Sequence, residues 1–372
     1  MKKKLSILMI AMLLSVCLIG CGEEEVEETV MEEPVEEVVE EPAEEPAEEE
    51  PVEEEPAEDV IPEGMYRSEI TNELISEDIK DQRPIAVMVD NEKTALPHFG
   101  LTQADVVYEL MNSTANNRIT RLMAIVKDWG AIEQFGSIRS LRPTNILLAA
   151  EWNAVICHDG GPFYIDPYLA NDYAANFSGG FGRVDNGKPR EFTEYILPGD
   201  LDKKFDNSSY SREYDEYYPG QHYQFAPFNE PVDFSDLETA LDANEVILPF
   251  PHNDSELHYD EETQLYYYSE YGKPHLDAGN NNEQLSFKNV LLQSCTYHVY
   301  DDNGYMIFNC IDAGRLGYYI TNGKAIPITW HKTSDTDVTR YYDTAGNEIT
   351  INTGKTYVAL VPDDDWQDLV IK

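Results

Sequence analysis

Basic residues are scarce in this sequence, which has 26 Lys and Arg against 71 Asp and Glu among 372 residues. The shortage persists beyond the N-terminal region, because residues 65–372 hold 49 acidic and 23 basic residues. A surface with this charge repels the phosphate backbone of DNA and RNA. We therefore expect an acidic folded protein that does not bind nucleic acid.

Long apolar runs are also missing, with one exception at the N-terminus. Leu5–Ile19 is interrupted only by two serines, follows three lysines and is shorter than the roughly 20 residues that span a bilayer. This pattern is typical of a secretory signal. The run ends in Leu18-Ile19-Gly20-Cys21, the pattern that lipoprotein-processing enzymes recognise. We predict a signal peptide over residues 1–20, lipidation at Cys21 and a location on the outer face of a bacterial cytoplasmic membrane.

The segment after Cys21 lacks any basic residue. Residues 22–64 hold 22 Asp or Glu among 43 residues, and most of the others are Pro, Val and Ala. Such a segment cannot bury a core, and like charges keep it extended. We predict that residues 21–64 form a disordered tether, with an r.m.s. span on the order of 40 Å for a flexible chain.

Cysteine is rare, with five residues in the chain. Cys17 lies in the predicted signal peptide and Cys21 is the predicted lipidation site, so the remaining three allow at most one internal disulfide. Cys295 and Cys310 lie in two strand-like runs joined at residues 301–304. A four-residue loop would place them opposite each other, whereas a two-residue Asn303-Gly304 turn would separate them. The sequence leaves a Cys295–Cys310 disulfide open.

The remaining length predicts two domains, because about 300 residues exceed one ordinary core. In the first, over residues 70–235, apolar strand-like runs at 85–89, 105–110, 121–126 and 154–157 surround a helical stretch at 143–152, which indicates an α/β domain. The second, over residues 245–372, has Tyr-, Val- and Ile-rich runs separated by Asn-Gly and similar turns, which indicates a mostly β domain, either a small barrel or a sandwich. The fold class is therefore α+β overall.

A series of short motifs follows residue 80. They are Arg83–Asn91, Gly100-Leu101 with Ala104–Glu109, Arg118–Arg121, Gly136–Pro143, His158–Gly161, Gly272–Asp277, Asn289-Val290, Asn322–Lys324 with Thr329-Trp330, and Gly354–Val358. With these motifs the chain resembles the YerB-like lipoproteins, a family with paired N- and C-terminal domains of unknown function. The resemblance implies an envelope location and a two-part architecture, but no specific activity. One departure is Ala115-Asn116-Asn117, which replaces a glycine pair common in the family.

An arginine-rich segment stands out against the acidic background. Residues 111–142 contain Arg118, Arg121, Lys127, Arg139 and Arg142 but only two acidic residues. Arginine is suited to bidentate binding of phosphate or carboxylate. Ser140 could cap a helix that begins near Pro143, and a helix N-terminus also attracts anions. The alternative is that these arginines form internal ion pairs with Asp90, Asp105 or Glu109.

Further polar residues end predicted strands, where open α/β sheets place their ligands. The predicted anion or ligand site comprises Asp90, Asn91, Glu109, Arg118, Arg121, Ser137, Arg139, Ser140, Arg142 and His158. In location and residue type this set is similar to the site of the LytR-CpsA-Psr phosphotransferases, extracytoplasmic α/β enzymes that use Asp and Arg around a lipid pyrophosphate and Mg²⁺.

Complete catalytic motifs are absent: there is no Gly-x-Ser-x-Gly, His-Glu-x-x-His or P-loop pattern. We therefore expect no metal or cofactor and a binding or scaffold lipoprotein of the cell envelope, whose partner is a cell-wall polymer or a membrane protein. The alternative is an envelope phosphotransferase or hydrolase that acts on a phosphate-containing glycolipid or glycan at the arginine-rich segment. Mg²⁺ is a candidate cofactor under that alternative alone.

Overall fold

The computed structural model describes residues 60–372, and strands dominate this part of the chain. The predicted signal peptide, Cys21 and most of the predicted tether lie outside the described residues. Three α-helices are present in the described part: α1 (Pro143–Ala150), α2 (Asp166–Leu169) and α3 (Asp200–Asp206). Within residues 60–372, no helix has the length and apolarity needed to cross a bilayer.

The strands of the first part of the chain match most of the predicted apolar runs. They are β1 (Met65–Arg67), β2 (Leu74–Ser76), β3 (Ile85–Asp90), β4 (Val106–Met111), β5 (Thr120–Val126), β6 (Phe135–Gly136), β7 (Val155–His158), β8 (Asn176–Ser178), β9 (Gly182–Arg183) and β10 (Glu194–Ile196). Every residue of β3, β4 and β5 is buried, as expected for apolar strands covered on both faces.

The second part of the chain consists of strands and short turns. Its strands are β11 (Gln224–Phe225), β12 (Leu241–Asp242), β13 (Glu245–Ile247), β14 (Glu256–Asp260), β15 (Leu265–Glu270), β16 (Lys273–Pro274), β17 (Leu276–Asp277), β18 (Glu283–Gln284), β19 (Ser286–Phe287), β20 (Asn289–Cys295), β21 (Tyr297–Val299), β22 (Met306–Phe308), β23 (Ala313–Thr321), β24 (Lys324–His331), β25 (Arg340–Tyr342), β26 (Thr350–Ile351), β27 (Thr356–Pro362) and β28 (Val370–Ile371). The described residues are therefore mostly β with few helices, and the predicted α+β class with a mostly β second part is confirmed.

One mixed sheet of eleven strands runs through both parts of the chain. Its order is β12-β24-β23-β20-β27-β4-β5-β3-β7-β8, with β25 beside β24. Strand β27 lies between β4 and β20 and is parallel to both, so that Tyr357 is aligned with Val107 on one side and Val290 on the other. The central sheet contains strands from both sides of the predicted domain boundary between residues 235 and 245. That boundary therefore remains a prediction.

The expected barrel or sandwich in residues 245–372 is not what forms. Strands β20, β23, β24, β25 and β27 extend the central sheet, and the others form small sheets, the largest being a six-stranded sheet of β16-β15-β14-β13-β28 with β19 beside β15. The physical reason is that β27 pairs in parallel with strands far away in the sequence. Turn signals between neighbouring strands carry no information about such pairings.

Helix α1 precedes β7 and fixes the arginine-rich segment at its start. Pro143 occupies the first helical position, which needs no N–H donor. The helix stops because Asn153 adopts a positive φ of 51°, and Ala154 N donates back to Ala149 O at 3.1 Å. The capping residue is Arg142, whose backbone N donates to Asn145 Oδ1 at 3.2 Å. The prediction that Ser140 caps this helix is therefore wrong.

Candidate functional site

The predicted site residues meet where strands β3, β4 and β5 share one end of the sheet. Asp90 ends β3 and is paired directly with Arg121 of β5, while Asn112 follows the last residue of β4. The segment from Ser137 to Arg139 runs beside β3, because Asp90 N donates to Ser137 O and Arg139 N donates to Met88 O. Antiparallel pairing thus brings residues about 30 positions apart to one edge.

A cavity of about 950 Å³ lies at this edge. Asp90, Arg121, Arg139, Ser140 and Arg142 line it, as do the following residues that were not predicted: Glu92, Asn112, Ser113, Ala115, Asn116, Ile119, Glu191, Phe192, His252, Asp302, Asn303 and Tyr305. The last three come from the hairpin of β21 and β22, which docks on the end of β4 through a bridge between Ser113 and Tyr305. Five predicted site residues therefore share one cavity with the tip of a distant hairpin.

Arg139 fits the ion-pair interpretation. Its guanidinium donates to the carboxylates of Asp90 and, at 2.6 Å, Glu191. Asp90 is also held by its other oxygen, which accepts from Glu92 N at 2.9 Å. The charge of Arg139 is therefore balanced inside the protein.

Arg121 and Arg142 fit the ligand interpretation. Arg121 Nη1 donates only to neutral oxygens, Asn112 Oδ1 at 3.0 Å and Ser140 O at 2.9 Å, and Arg142 Nη1 donates to Leu141 O at 2.9 Å. The hydroxyl of Ser140 lies 3.4 and 3.3 Å from the two guanidinium groups. In residues 60–372 neither arginine has a carboxylate within ion-pair distance, and the buried Nε of each has no hydrogen-bond partner. Two cations thus share one neutral hydroxyl.

This arrangement is electrostatically costly without an anion. Burial and, after it, the nearby charge of Arg142 lower the pKa of Arg121 to about 9, although Asp90 opposes this change. Burial also lowers the pKa of Arg142, whose guanidinium lies 4.0 Å from the ring centroid of Tyr305. A buried charge without a counterion destabilises the fold. An anion in contact with both guanidinium groups would remove that cost.

The other predicted site residues lie elsewhere. Arg118 lines a second cavity of about 550 Å³ and is paired with Asp364 and Asp365. His158 contacts Gly160 O at 2.8 Å and Asn176 Oδ1 at 3.3 Å. It therefore connects the loop after β7 to the start of β8 and does not face the cavity. Three more are buried under the sheet edge without lining the cavity: Asn91, Glu109 and Ser137.

Glu109 is the centre of a buried hydrogen-bond cluster that the sequence did not indicate. Its carboxylate accepts from Thr120, Ser255, Tyr268 and Tyr357 at 2.5–2.9 Å. Burial raises the pKa of Glu109, while the hydroxyl donors oppose that change. These partners come from both predicted domains, so Glu109 joins the two halves of residues 60–372.

A second buried cluster, Glu270, His275 and His98, forms a chain of hydrogen bonds that ends behind the cavity. His98 Nε2 lies 2.6 Å from Asp90 O, His98 Nδ1 lies 3.2 Å from His275 Nε2, and His275 Nδ1 lies 2.8 Å from Glu270 Oε1. A carbonyl only accepts, so His98 Nε2 must donate. If both imidazoles are neutral, His98 Nδ1 accepts from His275 Nε2, and His275 Nδ1 can then only accept. Glu270 must therefore carry a proton to donate to His275 Nδ1.

The pKa values agree with this order. Burial raises the pKa of Glu270 to about 7 and lowers the pKa of His98 and His275 to about 4. The three side chains are close enough to be considered as metal ligands. However, His98 and Glu270 approach opposite nitrogens of His275, so an ion bound by all three would require that ring to turn. A hydrogen-bond chain describes the geometry better.

Comparison with known families identifies the class of protein. The model described as the N-terminal domain of the protein of unknown function DUF3048 matches residues 70–211, and the model of its C-terminal domain matches residues 246–358. The chain therefore belongs to the DUF3048 family, which confirms the family resemblance found in the motifs.

Two comparisons point to the same relative in Bacillus subtilis. The chain is 26% identical over 301 residues to YerB of strain 168, whose name describes it as a proposed lipoprotein; the match covers 77% of this chain and 83% of YerB. The crystal structure of YerB from Bacillus subtilis matches with a TM-score of 0.69 at 22% identity, covering 82% of this chain and 99% of that one. The structural match supports the shared fold.

Proposed function

We propose that this protein is a lipid-anchored envelope protein that binds an anionic group in the cavity formed by Arg121 and Arg142. The observation that carries the proposal is the pair of buried guanidinium groups without a carboxylate partner in the described residues. Arginine offers several fixed N–H donors, which suits the oxygens of a phosphate or carboxylate. The expected binding partner is a cell-wall polymer or a membrane component that carries such a group.

The proposed location rests on the N-terminal sequence and on the relative. The lysines, apolar run and Leu18-Ile19-Gly20-Cys21 pattern favour a lipid anchor at Cys21 on the outer face of the cytoplasmic membrane. The name of YerB describes a proposed lipoprotein as well. Replacement by Cys21→Ser should move the protein from the membrane fraction to the medium, as seen by immunoblotting. Mass spectrometry of the unchanged protein that shows a free Cys21 thiol would contradict the anchor.

Titration with inorganic phosphate tests the anion site. Calorimetry on residues 60–372 should show binding for the unchanged protein and at least tenfold weaker binding for Arg142→Met and Arg121→Met. The melting temperature without phosphate should stay level or rise in both variants, because each removes an uncompensated buried charge. The matched control is Arg212→Met, which removes an exposed arginine paired with Asp202 and Asp206.

The same experiment separates the competing interpretations. Equal phosphate binding by the unchanged protein and both cavity variants would overturn the anion site. Unfolding of both variants would show that the two arginines are structural. The enzymatic alternative predicts in addition that a small product is released from an envelope glycolipid or glycan, whereas a binding protein leaves the ligand intact.

A further inference from the structure

A group of aromatic side chains adjoins the anion cavity. It consists of Phe163 and Tyr164, from the loop after β7, and Tyr300 and Tyr305, from the hairpin of β21 and β22. We refer to these four residues as the aromatic shelf. Tyr305 belongs to both features, because it lines the cavity and its ring contacts the guanidinium of Arg142.

Strand pairing explains why the shelf is continuous. Tyr300 N donates to Tyr305 O at 2.9 Å, so these residues face each other at the end of the hairpin. Directly opposed residues of an antiparallel pair point to the same face. The ring of Tyr164 lies 3.7 Å from that of Tyr300 and 6.5 Å from that of Tyr305, measured between centroids. The ring of Phe163 then lies 6.3 Å from that of Tyr300, at the outer end.

The shelf is open to solvent on the side away from the core. Phe163 is 74% exposed and Tyr300 is 42% exposed, whereas Tyr164 beneath them is 5% exposed. The buried hydroxyl of Tyr164 has no hydrogen-bond partner. Buried polar groups are normally satisfied, so an ordered water is the expected partner of this hydroxyl. Exposed aromatic rings beside a polar cavity are typical of a binding surface.

We propose that the aromatic shelf binds a sugar ring of a glycan whose anionic group occupies the cavity between Arg121 and Arg142. This proposal rests on the proposed anion site and specifies its ligand as a phosphorylated or otherwise anionic saccharide. The apolar face of a sugar ring stacks on an aromatic side chain, while its hydroxyls need polar partners. Asp302 and Asn303, which line the cavity beside Tyr305, provide those partners.

Charge favours a saccharide over a lipid surface. The shelf is flanked by Asp301 and Asp302 in the hairpin loop and by Asp166 at the start of α2, and residues 65–372 carry more than twice as many acidic as basic residues. Such a surface is repelled by anionic lipid headgroups. A neutral sugar ring has no such penalty, and its single anionic group would reach the two arginines.

A comparison of small phosphates tests the shelf independently of the anion site. The probes are inorganic phosphate, glycerol 1-phosphate, glucose 1-phosphate and N-acetylglucosamine 1-phosphate, titrated by calorimetry into residues 60–372. At least one sugar phosphate should bind tenfold or more tightly than glycerol 1-phosphate. Phe163→Ala and Tyr300→Ala should reduce this ratio to about twofold or less and leave the affinity for inorganic phosphate unchanged. The control is Phe228→Ala, which removes a 60% exposed ring that contacts Arg67.

Each outcome has a distinct meaning. If inorganic phosphate binds but sugar phosphates bind no more tightly than glycerol 1-phosphate, the shelf proposal is wrong and the anion site stands. If none of the four probes binds, the anion site itself fails. If Phe163→Ala instead reduces binding to vesicles of phosphatidylglycerol and leaves sugar phosphate binding unchanged, the shelf is a membrane contact and the saccharide proposal is overturned.

Discussion

Single residues in this protein handle buried charge in two different ways. Arg121 and Arg142 keep their charges without a carboxylate partner in the described residues, whereas Glu270 avoids charge by retaining its proton next to His275. Burial of an unpaired ion costs several kcal/mol, so both arrangements affect the free energy of unfolding. The first depends on a ligand, and the second depends on pH.

Glu270 should make stability depend on pH in a defined direction. Its folded pKa of about 7 lies above the ordinary value of 4.5, so the folded state binds the extra proton between these values and loses the resulting stability as the pH rises through 7. Glu270→Gln cannot titrate and donates permanently to His275. Relative to the unchanged protein, it should therefore gain ~2–3 kcal/mol between pH 5 and pH 8.

Urea unfolding at pH 5 and pH 8 measures this difference. Glu283→Gln, which replaces an exposed carboxyl group in the same part of the chain, controls for the loss of one negative charge. His98 and His275, with lowered pKa values, make both proteins less stable as the pH falls from 6.5 to 4. Their contribution is therefore expected in both proteins. An equal stability difference between Glu270→Gln and the unchanged protein at the two pH values would contradict the protonated Glu270.

Some site residues could be predicted because a cluster of basic residues in an acidic chain is recognisable from the sequence alone. Arg121, Arg139 and Arg142 stood out as cations in an acidic chain, and the structure places them around one cavity. His98 and His275 could not be linked in this way, since 177 residues separate them and no spacing pattern relates them. Nor could the charge pattern distinguish the paired Arg139 from the unpaired Arg142, because that difference depends on which carboxylates lie nearby in space.

At the scale of elements, the loop between β4 and β5 explains a departure from the family pattern. Asn116, Asn117 and Arg118 adopt φ values of 51°, 52° and 61°. Glycine adopts this left-handed region freely and asparagine tolerates it, which accounts for asparagines where relatives have glycines. Asn116→Gly should change stability by less than ~0.5 kcal/mol, and Asn116→Val should cost ~1–2 kcal/mol, because a β-branched residue is strained there.

Chemical denaturation measures both values. Ala115→Val is the matched control, because Ala115 is an exposed neighbour without a positive φ. Its cost should remain below that of Asn116→Val. Similar costs at the two positions would show that bulk in the loop, and not backbone conformation, determines stability.

The hairpin of β21 and β22 bears on the open question of a disulfide. Tyr297 pairs with Phe308, and Asn309 N donates to Thr296 O at 2.8 Å, which is the register that sets Cys295 opposite Cys310. Both are buried free thiols in the structure. We expect oxidised glutathione to accept two electrons and two protons from this pair, leaving a Cys295–Cys310 disulfide and two glutathione thiols.

Thiol titration of the denatured protein checks this expectation. After oxidation and removal of glutathione, residues 60–372 should show one thiol, that of Cys157, while Cys295→Ser should show two. Three thiols in the oxidised unchanged protein would mean that the pair does not bridge.

Most elements of the fold were predictable, but their partners were not. The apolar run at 85–89 became β3, and the run at 121–126 became β5, because a buried strand needs only local apolar and β-branched residues. The helix at 143–152 was correct to within two residues. The parallel position of β27 between β4 and β20 was missed, since it joins residues about 250 positions apart.

At the scale of the whole molecule, β27 joins two family segments into one sheet. It contributes hydrogen bonds to β4 on one edge and β20 on the other, and all seven of its residues are buried. A chain that ends at residue 355 would leave both edges unpaired and an apolar slot open in the core. Residues 60–355 should therefore fail to unfold cooperatively in calorimetry.

A slightly longer chain provides the control for that prediction. Residues 60–367 keep β27 and lose the end of the 3-10 turn Trp366–Asp368 and β28, a two-residue strand that pairs with β13 in the smaller sheet. This fragment should retain a cooperative transition at a lowered temperature. Loss of cooperativity in both fragments would show that the C-terminal end matters for another reason.

The place of β27 also has a consequence for biosynthesis. A ribosome delivers β4 some 250 residues before it delivers the strand that completes the same sheet. During that interval β4 and the strands beside it expose an apolar edge that could pair with another nascent chain. The unfinished sheet therefore needs protection from such pairing until residues 356–362 have been delivered.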